Sequence, residues 1–323
     1  MTSAFQSAYP LVHDHEPGPP LVRPTPVSGH DLGVTASDEH AGHIGTRMAE
    51  SWLSTLDVNA AFDRVWVEAA VEWLLSSAAP GRVIDVGCGA GGAACAFAAR
   101  LPPGSRVFAV DRDPRLLAMA RRRASAQGLG DRIRWSAGQV GALPVPDRSV
   151  EMVWASGVVH HVADQQAAVA ELAALCRPGG RVALVEGGLP LRCLPHEIGL
   201  GRPGLEARLD EARARWFVDM RAELPGHPMP YGWPEALARA GLDGVQVRSF
   251  LAEMTPPFDG VGRAIVEQHL ASALNELGHR LDAGDRDTIA RLLDPEDPAH
   301  VGRRNDLAVT AARTVLVATV GSA

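Results

Sequence analysis

Apolar residues between positions 49 and 75 recur at helical spacing, through Trp52, Leu56, Phe62, Val65, Trp66, Ala69 and Trp73. That period predicts two amphipathic helices, ended by Ala79-Pro80-Gly81. The pattern then changes to short apolar runs separated by helical segments. Strands are predicted at 82–86, 106–110, 133–136, 150–155, 181–186, 245–250 and 314–319. A glycine-rich loop and an alanine-rich helix to about Leu101 follow the first strand. A second helix runs from Pro114 to about Gln127, with proline in its first turn, where a missing N–H costs least. A third spans 165–176, capped by Asp164 and stopped by Arg177-Pro178-Gly179-Gly180, and a fourth covers 234–240.

Strands alternating with helices imply an α/β fold. It is a doubly wound, mostly parallel, seven-stranded sheet with right-handed crossovers and helices on both faces. Ligands of such sheets lie beyond the carboxyl ends of the strands. Residues 39–323 then form a single domain, with N-terminal helices at 39–79 and a cofactor-binding core at 80–187. Insertions at 188–231 and 253–305 leave from that same sheet edge and are expected to act as helical lids. Residues 1–38, rich in Pro, Gly, Ser and His, bury too little apolar surface to offset their ordering entropy and read as a disordered tail.

Composition narrows the function classes. Hydrophobic residues make up 46% of the 323 residues and charged ones 21%, enough for a sizeable core. A net charge of -7 argues against nucleic acid as the partner, because duplex binding needs a dense cationic face. All 31 basic residues are arginine, a bias to which we assign no function. Cys88, Cys95, Cys176 and Cys193 form no C-x-x-C pair, so no metal site is expected from spacing. The start lacks a basic and then apolar leader, and no apolar run reaches bilayer length. The expectation is a cytoplasmic protein with a small-molecule substrate, no nucleic acid and no membrane; homodimerisation is left open.

The strongest local signal is V-I-D-V-G-C-G-A-G-G at 83–92, directly after the first strand. Gly87, Gly89 and Gly91 permit a backbone turn that a β-carbon would hinder, and they let a ligand lie against the chain. The following helix aims its N–H groups at the loop. Asp111 closes the second strand, where a carboxylate can accept hydrogen bonds from both ribose hydroxyls. The same loop also satisfies G-x-G-x-x-G through Gly87, Gly89 and Gly92, so the glycines alone leave a dinucleotide site open.

Asp85 and the downstream segments separate the two. D-V-G-C-G-A-G-G with Asp111, A-G-Q-V-G-A-L-P-V-P-D at 137–147, V-E-M-V-W-A-S-G-V-V-H-H-V at 150–162 and L-C-R-P-G-G-R-V at 175–182 stand in order. Together they resemble class I S-adenosylmethionine-dependent methyltransferases, in the small-molecule branch that includes the quinone methyltransferases. The resemblance covers 80–187 and implies S-adenosyl-L-methionine as cofactor. It places Asp85, Gly87, Cys88, Gly89 and Gly91 at the methionine end, Asp111 at the ribose and Arg112 near the adenine edge. Gln139 stands where the family commonly has an aspartate facing the adenine amino group, with Val140 as an apolar or backbone contact. Ala155 and Ser156 fall beside the methionine amino group and the reactive methyl.

His160 and His161, just after the fourth strand, are the candidate general bases, since imidazole has a suitable pKa and that edge faces the substrate. A structural role in the turn before Asp164 is the competing reading. The proline-rich loop 225–233 carries His227 and Tyr231 as candidate substrate contacts. The implied activity is methyl transfer to oxygen or nitrogen, less readily carbon, of a small organic molecule in specialised metabolism. Two alternatives are a protein of this fold that catalyses a non-methylating reaction such as a cyclisation, and a nicotinamide-dependent oxidoreductase.

Overall fold

A computed structural model describes residues 46–226 and 229–321. The predicted tail at 1–38 and the candidate His227 lie outside the described residues. The first helix, α1, is one continuous element, Thr46–Leu75, where two were expected. No glycine or proline interrupts that stretch, so nothing forces a break.

The alternating core follows the predicted order. Strand β1 is Arg82–Val86, α2 is Gly92–Arg100, β2 is Arg106–Asp111 and α3 is Pro114–Ala126. Next come β3 at Ile133–Ala137, β4 at Val150–Ser156, α4 at Gln165–Leu175 and β5 at Cys176–Arg192. The Asp113 side chain accepts from the Arg115 N–H at 2.8 Å to start α3. Asp164 does the same for α4, accepting from the Ala167 N–H at 2.9 Å. Each satisfies an amide that the first helical turn leaves without a partner.

The remaining elements are α5 at Leu205–Ala222, α6 at Trp233–Arg239, β6 at Leu242–Met254, α7 at Gly260–Leu277, α8 at Ala283–Leu293 and β7 at Val309–Val320. The sheet has seven strands in the order β3-β2-β1-β4-β5-β7-β6. The pairings from β3 through β5 are parallel, whereas β7 runs antiparallel to both β5 and β6. This is the expected doubly wound sheet with one reversed strand inserted near an edge.

Strand β5 is longer than its apolar run suggests. Val150 pairs with Cys176 and Met152 with Arg181, so the Arg-Pro-Gly-Gly turn bulges out between them. Beyond Val185 the strand continues past the parallel core and pairs with β7 as far as Arg192 and Thr310. The first insertion therefore begins as sheet, because β7 supplies backbone partners that a sequence pattern does not reveal.

Two apolar layers enclose the sheet. Val83, Met152, Trp154 and Val185 face a layer holding α1, α2 and α3, which is continuous with helices α5, α7 and α8. Ile84, Val86, Val153, Ala155 and Leu184 face the other, beneath α4 and α6. The alternation along each strand sends successive side chains to opposite layers. Among the described residues no helix is long and apolar enough to cross a membrane.

Candidate active site

The glycine loop leaves β1 and turns into α2, and its three glycines all have positive φ: Gly87 +65°, Gly89 +52° and Gly91 +80°. Their surroundings differ. A β-carbon on Gly87 would stand 2.3 Å from Val158 Cγ2, and one on Gly91 would stand 2.7 Å from Ala120 Cβ. Those two glycines let the loop pack against the protein. A β-carbon on Gly89 or Gly92 would meet nothing within 4 Å, so on that side the loop presents bare backbone to open space.

Asp111 ties the loop to the end of β2. Its Oδ2 accepts the Gly89 N–H at 2.9 Å and its Oδ1 accepts the Asp113 N–H at 2.9 Å. Each carboxylate oxygen keeps accepting capacity for a ligand hydroxyl. Arg112 is exposed at the strand exit. The Gly138 N–H donates to Asp111 O at 3.2 Å, and a one-residue bridge joins Gln139 to Ala142. Gln139 is exposed beside this edge, and Val140 is half-buried against the α4 layer.

A cleft of about 550 Å³ opens between α1 and the glycine loop, with Asp63, Trp66, Asp85, Gly87, Trp154 and Ser156 among its walls. Asp85 is fully buried, and burial is the main cause that pushes its carboxyl up to about 8, against a hydrogen bond from the Ala94 amide. Its Oδ2 has no hydrogen-bond partner, and neither has the indole N–H of Trp154. Unpaired buried polar atoms are costly, and these two belong to residues that line one cleft. Asp63, on α1, accepts the Trp66 indole N–H at 2.7 Å. Burial raises its pKa, while Trp66 and then Arg313 act in the opposite direction. Cys88 lines the same cleft, its thiol pushed up chiefly by burial and then by Asp85 and Asp111. The Ala155 side chain is buried in the opposite layer, so what it can offer the cleft is backbone.

The histidine pair sits at the end of β4. His160 Nδ1 lies 2.6 Å from Glu186 Oε2, and Glu186 is 4% exposed. The other carboxylate oxygen accepts the Val158 N–H at 3.1 Å and the Val159 N–H at 2.8 Å. Three bonds thus fix Glu186, and Glu186 fixes the imidazole. Arg221 of α5 clamps the turn from above, donating to His160 O at 3.1 Å and Val162 O at 2.7 Å. The His161 ring centroid is 4.0 Å from that of His160. Partial burial, then the neighbouring His160, lower the His161 pKa, with Glu186 opposing them.

Tyr231 stands beside α4. Its hydroxyl donates to Gln166 Oε1 at 3.0 Å, and Arg239 lies over its ring at 4.1 Å. It packs against the α4 and α6 layer and is absent from the cleft wall. Sequence reasoning missed Glu186, Asp63 and Trp154. A buried acid at the end of an apolar strand, as in V-A-L-V-E, was the available signal for Glu186.

A glycine loop, an acid at the end of the next strand and a cleft at the carboxyl edge define a nucleotide-type cofactor site on an α/β sheet. Residues 83–180 match the family model described as methyltransferase domain. The ubiquinone/menaquinone biosynthesis C-methyltransferase UbiE of Dinoroseobacter shibae is 36% identical over 123 residues, 38% of this chain and 48% of that protein. The demethylmenaquinone methyltransferase of Thermus thermophilus is 36% identical over 124 residues, 38% of this chain and 54% of that protein. The methyltransferase GfsG of Streptomyces halstedii is 25% identical over 254 residues, 76% of this chain and 79% of that protein. The chain thus spans about half the length of the two quinone-related proteins it matches. Residues 83–180 thus carry a methyltransferase domain, similar in sequence to those two proteins, with S-adenosylmethionine as its cofactor. The dinucleotide alternative left open by the glycines gives way to this match.

The residues present fit that cofactor. The open backbone at Gly89 can lie against it, the unpaired Asp85 Oδ2 suits an ammonium group, and Asp111 can accept from ribose hydroxyls.

Proposed function

We propose that this protein transfers a methyl group from S-adenosylmethionine to an oxygen or nitrogen, less readily a carbon, of a small organic molecule in specialised biosynthesis. The observation that carries the reading is the cleft wall where Asp85 Oδ2 and Trp154 Nε1 stand unpaired beside a glycine loop of the methyltransferase domain. When bound, the cofactor supplies an electrophilic methyl on a sulfonium. The protein's tasks are then to align a nucleophile with it, to exclude water and to remove a proton where the nucleophile carries one.

His160 is the group we assign to the proton. With Nδ1–H donating to Glu186, the neutral ring keeps its lone pair on Nε2, where it can accept a proton from a substrate hydroxyl or N–H. Glu186 acts as a positioning residue that sets this tautomer and stabilises the imidazolium. His161 stands beside it as a second candidate base and a neighbour in the same turn. The lid helix α5, tied down by Arg221, closes over this turn and limits access of water.

Calorimetric titration tests the cofactor. S-adenosylmethionine and S-adenosylhomocysteine should bind at micromolar Kd, on the order of -8 kcal/mol, with NAD and NADP giving no heat. Release of S-adenosylhomocysteine with phenol or amine acceptors then tests transfer. Binding of a nicotinamide cofactor in place of the adenosyl ligands would overturn the reading.

A further inference from the structure

Three metal-ligating side chains converge beneath the lid, away from the cofactor cleft. Cys193 follows β5, Glu206 lies in the first turn of α5 and His269 sits on α7. The thiol sulfur, a carboxylate oxygen and a ring nitrogen all lie within 4.8 Å of one another. Sequence spacing could not show this, because the three are brought together by two different insertions.

The surroundings are apolar. Cys193, Leu205, Leu209, Ile265, Val266 and Leu270 belong to one buried layer. Glu206 is 7% exposed, and one of its oxygens accepts the backbone N–H groups of Cys193 and Leu194, the latter at 3.0 Å. Its Oε2 is left facing Arg192 at 3.9 Å, and that arginine is itself half-exposed and paired with Asp210. The Cys193 thiol is buried beside that carboxylate. Among the described residues the His269 ring makes no hydrogen bond. His269 is half-buried, and a neutral imidazole there offers a ring nitrogen lone pair.

Two groups that become anionic on losing a proton therefore meet a neutral imidazole inside an apolar layer. A divalent cation would compensate both. A thiolate and a carboxylate neutralise a 2+ ion, which leaves no net charge in the layer. Thiolate, imidazole and carboxylate together match zinc, whose sites commonly mix these ligands. Tetrahedral bonds of about 2.0–2.3 Å hold ligand atoms about 3.3–3.8 Å apart, so shifts on the order of 1 Å would complete the set.

We propose that Cys193, Glu206 and His269 form a zinc site that joins the end of β5 to lid helices α5 and α7. Binding releases the Cys193 proton to solvent and forms Zn–S, Zn–O and Zn–N bonds, with water as the fourth ligand. The ion ties together three segments that are far apart in sequence, and it holds the lid closed without touching the cofactor loop.

Cobalt is the probe. The full-length reduced protein, stripped with chelator, is titrated with Co²⁺ and then with Zn²⁺. One equivalent of Co²⁺ should give a thiolate-to-metal charge-transfer band and tetrahedral d–d bands, and Zn²⁺ should erase both. Cys193→Ser should lose the charge-transfer band while retaining S-adenosylmethionine binding by calorimetry. His269→Gln should keep the band but weaken cobalt binding about tenfold or more. If Cys193→Ser does not fold, His269→Gln alone decides. No thiolate band from the native protein, a band that survives Cys193→Ser, or unchanged affinity in His269→Gln would each overturn the site. The result is independent of methyl transfer, since cobalt binding is read without substrate.

Discussion

Asp85 on β1 and Trp154 on β4 are direct partners in the parallel ladder, and each leaves a buried polar side-chain atom unpaired on the same cleft wall. Trp154 is wholly buried against Trp66 and Phe97, while the Asp85 oxygen is an acceptor that suits the ammonium group of adenosylmethionine. With the cleft free of ligand, burial holds the Asp85 carboxyl up at about 8, so it is protonated at pH 7. A bound ammonium favours the carboxylate and lowers that pKa. Adenosylmethionine should therefore release a proton on binding at pH 7, and affinity should rise with pH until about 8, then level. Calorimetry in two buffers of different ionisation enthalpy measures that proton. Asp85→Asn should abolish the release and weaken binding about tenfold or more. A heat that does not depend on buffer would remove Asp85 from the ammonium contact.

The same carboxyl makes a prediction for the ligand-free protein. Its pKa is raised on folding, so the unfolded chain loses that proton first. Its contribution to stability is present below about pH 4 and is lost as pH rises through the folded value near 8. Denaturation midpoints of Asp85→Asn should lose this part of the decline between pH 5 and 8. A wild-type and variant difference that stays constant over that range would count against it.

Glu186 and His160 should act as a unit. Glu186→Gln keeps the side chain's shape but removes the charge that stabilises the imidazolium. Turnover should fall about 10²–10⁴-fold, with adenosylmethionine affinity unchanged. His160→Ala should cost as much, and the double variant little more, because removing either partner disables both. His161→Ala should spare cofactor binding and reduce turnover less than His160→Ala. Rates for the four variants against one acceptor settle the assignment. Equal rates for His160→Ala and wild type would make the pair structural.

The glycines separate stability from binding. Gly91→Ala forces a β-carbon to 2.7 Å from Ala120 Cβ at a φ of +80°, so it should lower stability by about 1–3 kcal/mol. Gly89→Ala meets no protein atom within 4 Å, so only the φ of +52° opposes it, at about 1–2 kcal/mol. Its added methyl instead fills the space where the cofactor would lie. Chemical denaturation should rank Gly91→Ala as the more destabilised, and calorimetry should rank Gly89→Ala as the weaker binder.

What could be read in the sequence was what local chemistry determines. The strand periods, the Asp113 and Asp164 caps and the glycine loop all depend on residues close in the chain, and each was legible. Asp111 was also legible, because a parallel strand always delivers its last residue to the ligand edge. Glu186 was not singled out, since its meaning depends on His160, 26 residues away. The extension of β5 to Arg192 depends on its partner β7, more than a hundred residues on. Cys193, Glu206 and His269 carry no spacing signal at all.

Helices α5 and α8 are also joined by an ion cluster whose loss should be measurable. Asp285, at the start of α8, is 2% exposed, and its carboxylate receives two bonds from the Arg208 guanidinium of α5, at 2.7 and 2.9 Å. Arg202 adds a third at 3.1 Å. Asp285→Ala leaves Arg208 without its bidentate partner in a largely enclosed place, a change that costs about 3–5 kcal/mol for a fully buried pair. Arg208 keeps a quarter of its side-chain surface in water and Arg202 more than half, so screening reduces the loss to about 2–3 kcal/mol. Asp285→Asn, which retains one acceptor oxygen, should cost less. The denaturation midpoint should follow that order. Because the cluster ties α5 to α8 and not to the glycine loop, adenosylmethionine affinity should stay within about twofold of wild type, a change of under ~0.5 kcal/mol. A large drop in cofactor affinity in Asp285→Ala would show that lid and loop are coupled through the shared apolar layer.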